Sequence, residues 1–139
     1  ATLHTTGAAR TVDRIIDAFE KEQQEQIRTQ LSGSLEAVIS QVLLPRADKK
    51  GVIAAFEIML MTPAIENLIR ENKTYRLPST IQTSRKMGMV LLDDFLFDLF
   101  IDRKITYADM MSRCQQPEDL QQKVKEYTDK QQAAATTKK

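Results

Sequence analysis

His4 is the only histidine in the chain, and it stands where a short run, Ala1-Thr2-Leu3, gives way to hydroxyl residues and then to a helical pattern. A histidine at the end of a strand can reach a bound phosphate, and a helix starting just after it favours an anion. Thr5 and Thr6 supply hydroxyls at the same junction, and Arg10 and Arg14 supply guanidiniums over the next turns. Arg28 and Arg46 are further candidates for phosphate or interface contacts, since a guanidinium suits both. For each arginine the plain alternative is surface charge or an intrachain pair. A lone strand-end histidine is more often structural or solvated than chemical.

Metal chemistry has little to work with. Cys114 is the single cysteine, so the chain has no internal disulfide, and a structural zinc site needs about four Cys or His ligands. Cys114 is expected to fill a core position on a short helix, and the methionines, Met59, Met61, Met87, Met89, Met110 and Met111, to fill the core as well.

These residues need elements to position them. Ala1-Thr2-Leu3 reads as the end of a strand, too short to be a whole one, so an upstream segment is expected. Thr5 or Thr6 would cap a first helix whose apolar stripe is Val12, Ile15, Ile16 and Phe19. The polar stretch Glu20 to Glu25 breaks that stripe or begins a second helix carrying Ile27, Leu31, Leu35 and Val38. Val42-Leu43-Leu44, the turn-rich Pro45 to Gly51 and the alternating run Val52 to Leu60 read as a β-hairpin. Short helices follow. Thr62-Pro63 and Leu77-Pro78 are start signals, Met89, Leu92, Leu96, Leu99 and Phe100 line a longer helix, and Thr106-x-x-Asp109 approximates a capping box. Pro117-Glu118-Asp119 opens the last helix, and Gln131 to Lys139 reads as a solvated tail.

Composition bounds what the whole can be. The 139 residues amount to one ordinary domain or a large piece of one, and 42% apolar content is enough for a core. Twenty basic against nineteen acidic residues argue against the broad basic face that nucleic acid requires. The most apolar stretches are short and interrupted by Glu57, Asp93, Asp94 and Asp98, so no transmembrane segment is expected. One cysteine and one histidine suit a reducing, cytoplasmic setting.

The ordered strings carry more than the composition does. Ala1 to Asp17 resembles the His box and following helix of PilT-type ATPases, and Gln24-Glu25-Gln26-Ile27-Arg28, Ile39 to Arg46, Ala55-Phe56-Glu57-Ile58 and Thr62-Pro63-Ala64-Ile65 continue the likeness to about residue 126. The stretch Ala64-Ile65-Glu66-Asn67-Leu68-Ile69-Arg70-Glu71 resembles the family's retraction-associated motif, except that Glu66 stands where an arginine is usual. No CxxC pair lies near the hairpin, which fits the retraction branch better than the assembly and type II secretion branches.

The resemblance implies an α/β fold, the C-terminal part of a RecA-like P-loop ATPase core followed by a small all-helical subdomain. Residues 1–62 would be the core portion, 63–128 the helical subdomain and 129–139 a disordered tail. It implies a hexameric motor of the secretion-ATPase superfamily, using ATP with Mg²⁺ to power type IV pilus retraction and twitching motility. Such a motor works from the cytoplasm, peripheral to the inner membrane, against a platform protein at the pilus base. His4 would then lie near the γ-phosphate. A secretion or pilus-assembly motor is the nearest alternative, and a non-catalytic helical adaptor is the alternative of another class. The glycines Gly7, Gly33, Gly51 and Gly88 are too far apart to form a G-x-x-x-x-G-K-[ST] loop, so this chain alone is expected to bind no nucleotide tightly and to turn none over.

In Ala64–Glu71, Ile65, Leu68 and Ile69 share a face by helical spacing, leaving Asn67, Arg70 and Glu71 outward. Glu66 lies four residues before Arg70, the favoured order for a helical ion pair.

Overall fold

Ala8, Val12 and Ile16 recur every four residues and are wholly or almost wholly buried, which fixes the first helix, α1 (Ala8–Asp17), against the core. The computed structural model describes residues 1–136. After α1 come α2 (Lys21–Ser34), strands β1 (Ala37–Pro45) and β2 (Val52–Leu60), then α3 (Pro63–Arg70), α4 (Leu77–Thr83), α5 (Leu92–Ile101), α6 (Tyr107–Arg113) and α7 (Pro117–Thr136). Single 3₁₀ turns at Thr74–Arg76 and Arg85–Met87 link the middle helices.

β1 and β2 form an antiparallel hairpin with Ser40 opposite Glu57 and Val38 opposite Met59. Alternation puts Val38, Ser40 and Leu44 of β1 with Ala55, Glu57 and Met59 of β2 on the buried face. On the other face Ile39 and Leu43 remain more than half exposed, while Phe56 packs edge-on against Phe95. Gly51 closes the turn with a positive φ of 116°, a conformation that glycine reaches without strain.

The hairpin divides the interior. Val38 and Met59 join Ala8, Val12, Ile16, Ile65, Ile69, Leu77 and Ile81 in one apolar cluster. Leu44 and Ala55 join Leu92, Leu96, Leu99, Met110 and Leu120 in a second. The first cluster runs across residue 62, so the hairpin and α3 share one core there.

Several expectations change. Ala1–Leu3 form no strand, since no neighbouring strand pairs with them. Phe19 lies past the end of α1 and is exposed. Leu35 and Val38 continue the helical spacing of α2, yet the helix stops at Ser34 and Val38 belongs to β1, because pairing with β2 begins at Ala37. The hairpin is therefore longer than Val42-Leu43-Leu44 suggested. Met89 precedes α5, next to the bridge that Val90 makes with Ile58. The tail expected to be disordered from residue 129 is helical to Thr136, continuing α7, whose Leu120, Val124 and Tyr127 pack on the second cluster. Residues 137–139 lie outside the described residues. Among the described residues no helix is long and apolar enough to cross a membrane.

Candidate functional site

The junction carrying His4 is held from below by the hairpin. Neither Thr5 nor Thr6 caps α1. The N-cap is Gly7, and it has no capping side chain of its own. Two hairpin residues act instead. The Gly7 N–H donates to Ser40 Oγ at 3.0 Å, and the Ala8 N–H donates to Glu57 Oε1 at 2.6 Å. Ser40 and Glu57 are both about 95% buried, so each partner is shielded from competing water. Thr11 turns its hydroxyl back onto the Gly7 carbonyl at 2.8 Å. That uses the only hydrogen of Thr11, so Thr5 donates in the 2.8 Å contact between the two hydroxyls.

Gly7 itself is required twice over. Its φ is +97°, and a Cβ added there would lie 2.7 Å from Gln115 Nε2. Ser40 and Glu57 thus occupy the Gly7 and Ala8 amides, the first two at the start of α1, and leave those two unable to meet an anion.

His4 is exposed at a bend above this clamp. Thr6 and Arg10 line a polar concavity of about 220 Å³, shared with Ser112, Arg113 and Cys114. Arg14 is exposed on the last turn of α1, four residues after Arg10, and does not line the concavity. Arg28 sits on α2, half-buried, with Nη2 donating to Gln24 at 3.3 Å. Its Nε is the only fully buried side-chain nitrogen or oxygen among the described residues with no hydrogen-bond partner. Arg46 forks Asp48 with bonds of 2.8 and 2.6 Å, which holds the Asp48 carboxyl down at about 2. The structure thus brings Thr6 and Arg10 to one concavity, which His4 does not line, and commits Arg46 to a pair in the hairpin turn.

Cys114 is the C-cap of α6, half-buried and packed against the edge of the second apolar cluster. Desolvation, with the Asp93 carboxylate adding to it, pushes its thiol pKa up, so it is a poor nucleophile. Met87, expected in the core, is exposed.

The Ala64–Glu71 stretch is α3. Thr62 caps it, accepting from the Ile65 N–H at 3.3 Å, and Pro63 follows at the first helical position. Ile65 and Ile69 are fully buried and Leu68 partly so, while Ala64, Asn67, Arg70 and Glu71 face outward. Glu66 does not pair with Arg70. Arg70 Nη1 donates to Asn67 Oδ1 at 2.9 Å, three residues away, and Glu71 pairs with Lys73 at 2.7 Å.

Sequence reasoning missed the clamping residues. Ser40 and Glu57 lie 33 and 49 residues from the amides they bind. The available signal was a carboxylate on the buried register of an apolar strand, between Ala55 and Met59. It missed Asp93 too, whose two oxygens accept from the Gln115 and Gln116 amides at 2.8 Å and cap the start of α7. A second cleft, about 530 Å³, lies between Tyr75, Asp93, Asp94 and Asp119, but Asp93 is spent on that cap and Asp94 pairs with Lys123. Among the described residues no group of three or more His, Cys, Asp or Glu is placed to hold a metal ion. The residues present do not by themselves fit a magnesium–nucleotide complex, which needs a phosphate cradle and an acidic ligand.

No family model matches the chain. It is 45% identical over 119 residues to a twitching motility protein of Neisseria gonorrhoeae, covering 86% of this chain and 32% of that protein. It is 44% identical over 119 residues to the type IV pilus retraction ATPase PilT of Pseudomonas aeruginosa, covering 86% and 34% respectively. A crystal structure of the pilus retraction motor PilT with bound ADP superposes at a TM-score of 0.77 and 37% identity, over 87% of this chain and 33% of that one. This chain resembles the C-terminal part of a PilT-type ATPase. It spans about a third of the length of the curated PilT-type relatives it matches.

Proposed function

We propose that this chain is the C-terminal part of an ATP-driven hexameric motor that powers type IV pilus retraction. The observation carrying this reading is the likeness to ADP-bound PilT over 87% of the chain. Residues 1–62 belong to the RecA-like core and 63–128 to a helical subdomain, and ATP with Mg²⁺ is held largely by the rest of the protein. In this reading His4 approaches the γ-phosphate from its exposed bend.

The unpartnered Nε of Arg28 supports a role for α2 at a subunit contact, since a buried donor without an acceptor costs about 1–3 kcal/mol. The exposed apolar side chains of Ile39 and Leu43 support further protein packing on the outer face of the hairpin. α3 is the output element. Its outward Asn67, Arg70 and Glu71 engage the pilus machinery, whose inner-membrane platform protein is the partner, from the cytoplasmic side.

The full-length protein tests the reading. It should hydrolyse ATP with Mg²⁺, sediment as a ring of six, and be required for pilus retraction in cells, while the 139-residue chain alone shows no turnover. A full-length protein that neither binds nor hydrolyses ATP would support the adaptor alternative instead.

A further inference from the structure

Glu57 does more than hold the start of α1. Its side chain is 4% exposed, on a strand whose neighbouring inward residues are Ala55 and Met59. A carboxylate is retained in such a place only when donors replace its water. Oε1 accepts from Ala8, the first residue of α1. Oε2 accepts from the N–H of Leu92, the first residue of α5, at 3.2 Å, and from Gln115 Nε2 at 3.4 Å. One carboxylate therefore faces the positive ends of two helices. Ala8 is packed in the first apolar cluster and Leu92 in the second.

We infer that Glu57 is a positioning residue that couples the His4–Gly7 loop to the start of α5. The carboxylate is planar and rigid, so a tilt that follows one helix start moves the acceptor offered to the other. Ser40, opposite Glu57 in the hairpin, restrains Gly7 and leaves Glu57 as the group shared between the two helix starts. A shift of the loop beside His4 is thereby passed to α5 through a single side chain. In a motor this would link the nucleotide side to the helical subdomain. That consequence rests on the proposed function, whereas the coupling does not.

Amide hydrogen exchange on this chain, with no nucleotide present, tests it. Glu57→Gln can offer only one oxygen and sets an NH₂ group against the other backbone amide. At least one of the Ala8 and Leu92 amides should exchange about 10-fold faster or more, with Ile69 and Phe97 unchanged as references in each cluster. The coupling itself is read from Thr11→Val, which removes the hydroxyl bonds to the Gly7 carbonyl and to Thr5, both on the α1 side, and keeps the backbone N–H bond to Gly7. With Glu57 in place, Thr11→Val should speed exchange at Leu92 about 3-fold or more, and in the Glu57→Gln background it should leave Leu92 unchanged. If Glu57→Gln does not fold, Glu57→Asp, too short to span both amides, serves as the second background. The inference is overturned if Leu92 ignores Thr11→Val with Glu57 present, if it responds equally in both backgrounds, or if Glu57→Gln speeds all four amides alike.

Discussion

The bend at His4 and the surface of α3 are both exposed, yet they are built in opposite ways. Below His4, Gly7 and Ala8 are bound by Ser40 and Glu57, two buried side chains from distant strands, and Thr11 closes the loop from within. On α3 the outward side chains make only local pairs, Arg70 with Asn67 and Glu71 with Lys73. Buried bonds across long sequence separations restrain the loop from several sides at once. Exposed pairs two or three residues apart contribute little energy and are easily exchanged for a partner's groups. The first arrangement suits a residue that must meet a reacting group. The second suits a surface that changes contacts.

The strongest way to break this contrast is to remove the clamp. Glu57→Ala leaves two buried backbone amides and the Gln115 side chain without their acceptor, and should destabilise the chain by about 3 kcal/mol in urea unfolding. A loss below about 1 kcal/mol would mean that water already serves these amides. Gly7→Ala should cost somewhat less, about 1–3 kcal/mol, from the positive φ and the approach of Gln115. Combining it with Gln115→Ala separates the two causes. If relief is complete, crowding dominates, and if it is absent, the backbone conformation does.

At the other pole, Glu66→Arg should change stability by less than about 0.5 kcal/mol, because Glu66 forms no ion pair among the described residues for the substitution to break. Its effect should appear in partner binding or retraction, where a reversed charge counts for more. The smallest change belongs to Arg46→Ala in the hairpin turn. The guanidinium holds the Asp48 carboxyl at about 2, so the pair's contribution is present above the ordinary carboxylate range and is lost as pH falls through about 2. NMR titration should show Asp48 returning to about 4 in the variant, with the unfolding midpoint at neutral pH essentially unmoved.

The same contrast decides what was legible in the sequence. The start of α3 could be read from Thr62-Pro63, and that of α6 from Thr106 and Asp109, because a cap and the amides it binds lie within three residues. The inward stripe of α3 followed from helical spacing alone. The start of β1 could not be read, because Leu35 and Val38 fit the helical spacing of α2, and only pairing with β2 assigns Val38 to the strand. The cap of α1 falls on neither Thr5 nor Thr6 for a related reason. Local hydroxyls were available, but the buried Ser40 and Glu57 outcompete them from across the fold. Arg70 chose Asn67 over Glu66, a choice between neighbours three and four residues away that spacing leaves nearly even.

The central claim is that the clamped bend serves the chemistry and the open helix serves the output. It is tested most directly by ATP turnover of the full-length protein carrying His4→Ala or Glu66→Arg, measured side by side. The account predicts a fall in kcat of about 10- to 100-fold for His4→Ala with thermal stability kept, since His4 is exposed. It predicts turnover within about twofold of the parent for Glu66→Arg, even where retraction is altered. Full turnover in His4→Ala together with a large loss in Glu66→Arg would contradict it, and would assign α3 to the catalytic ring.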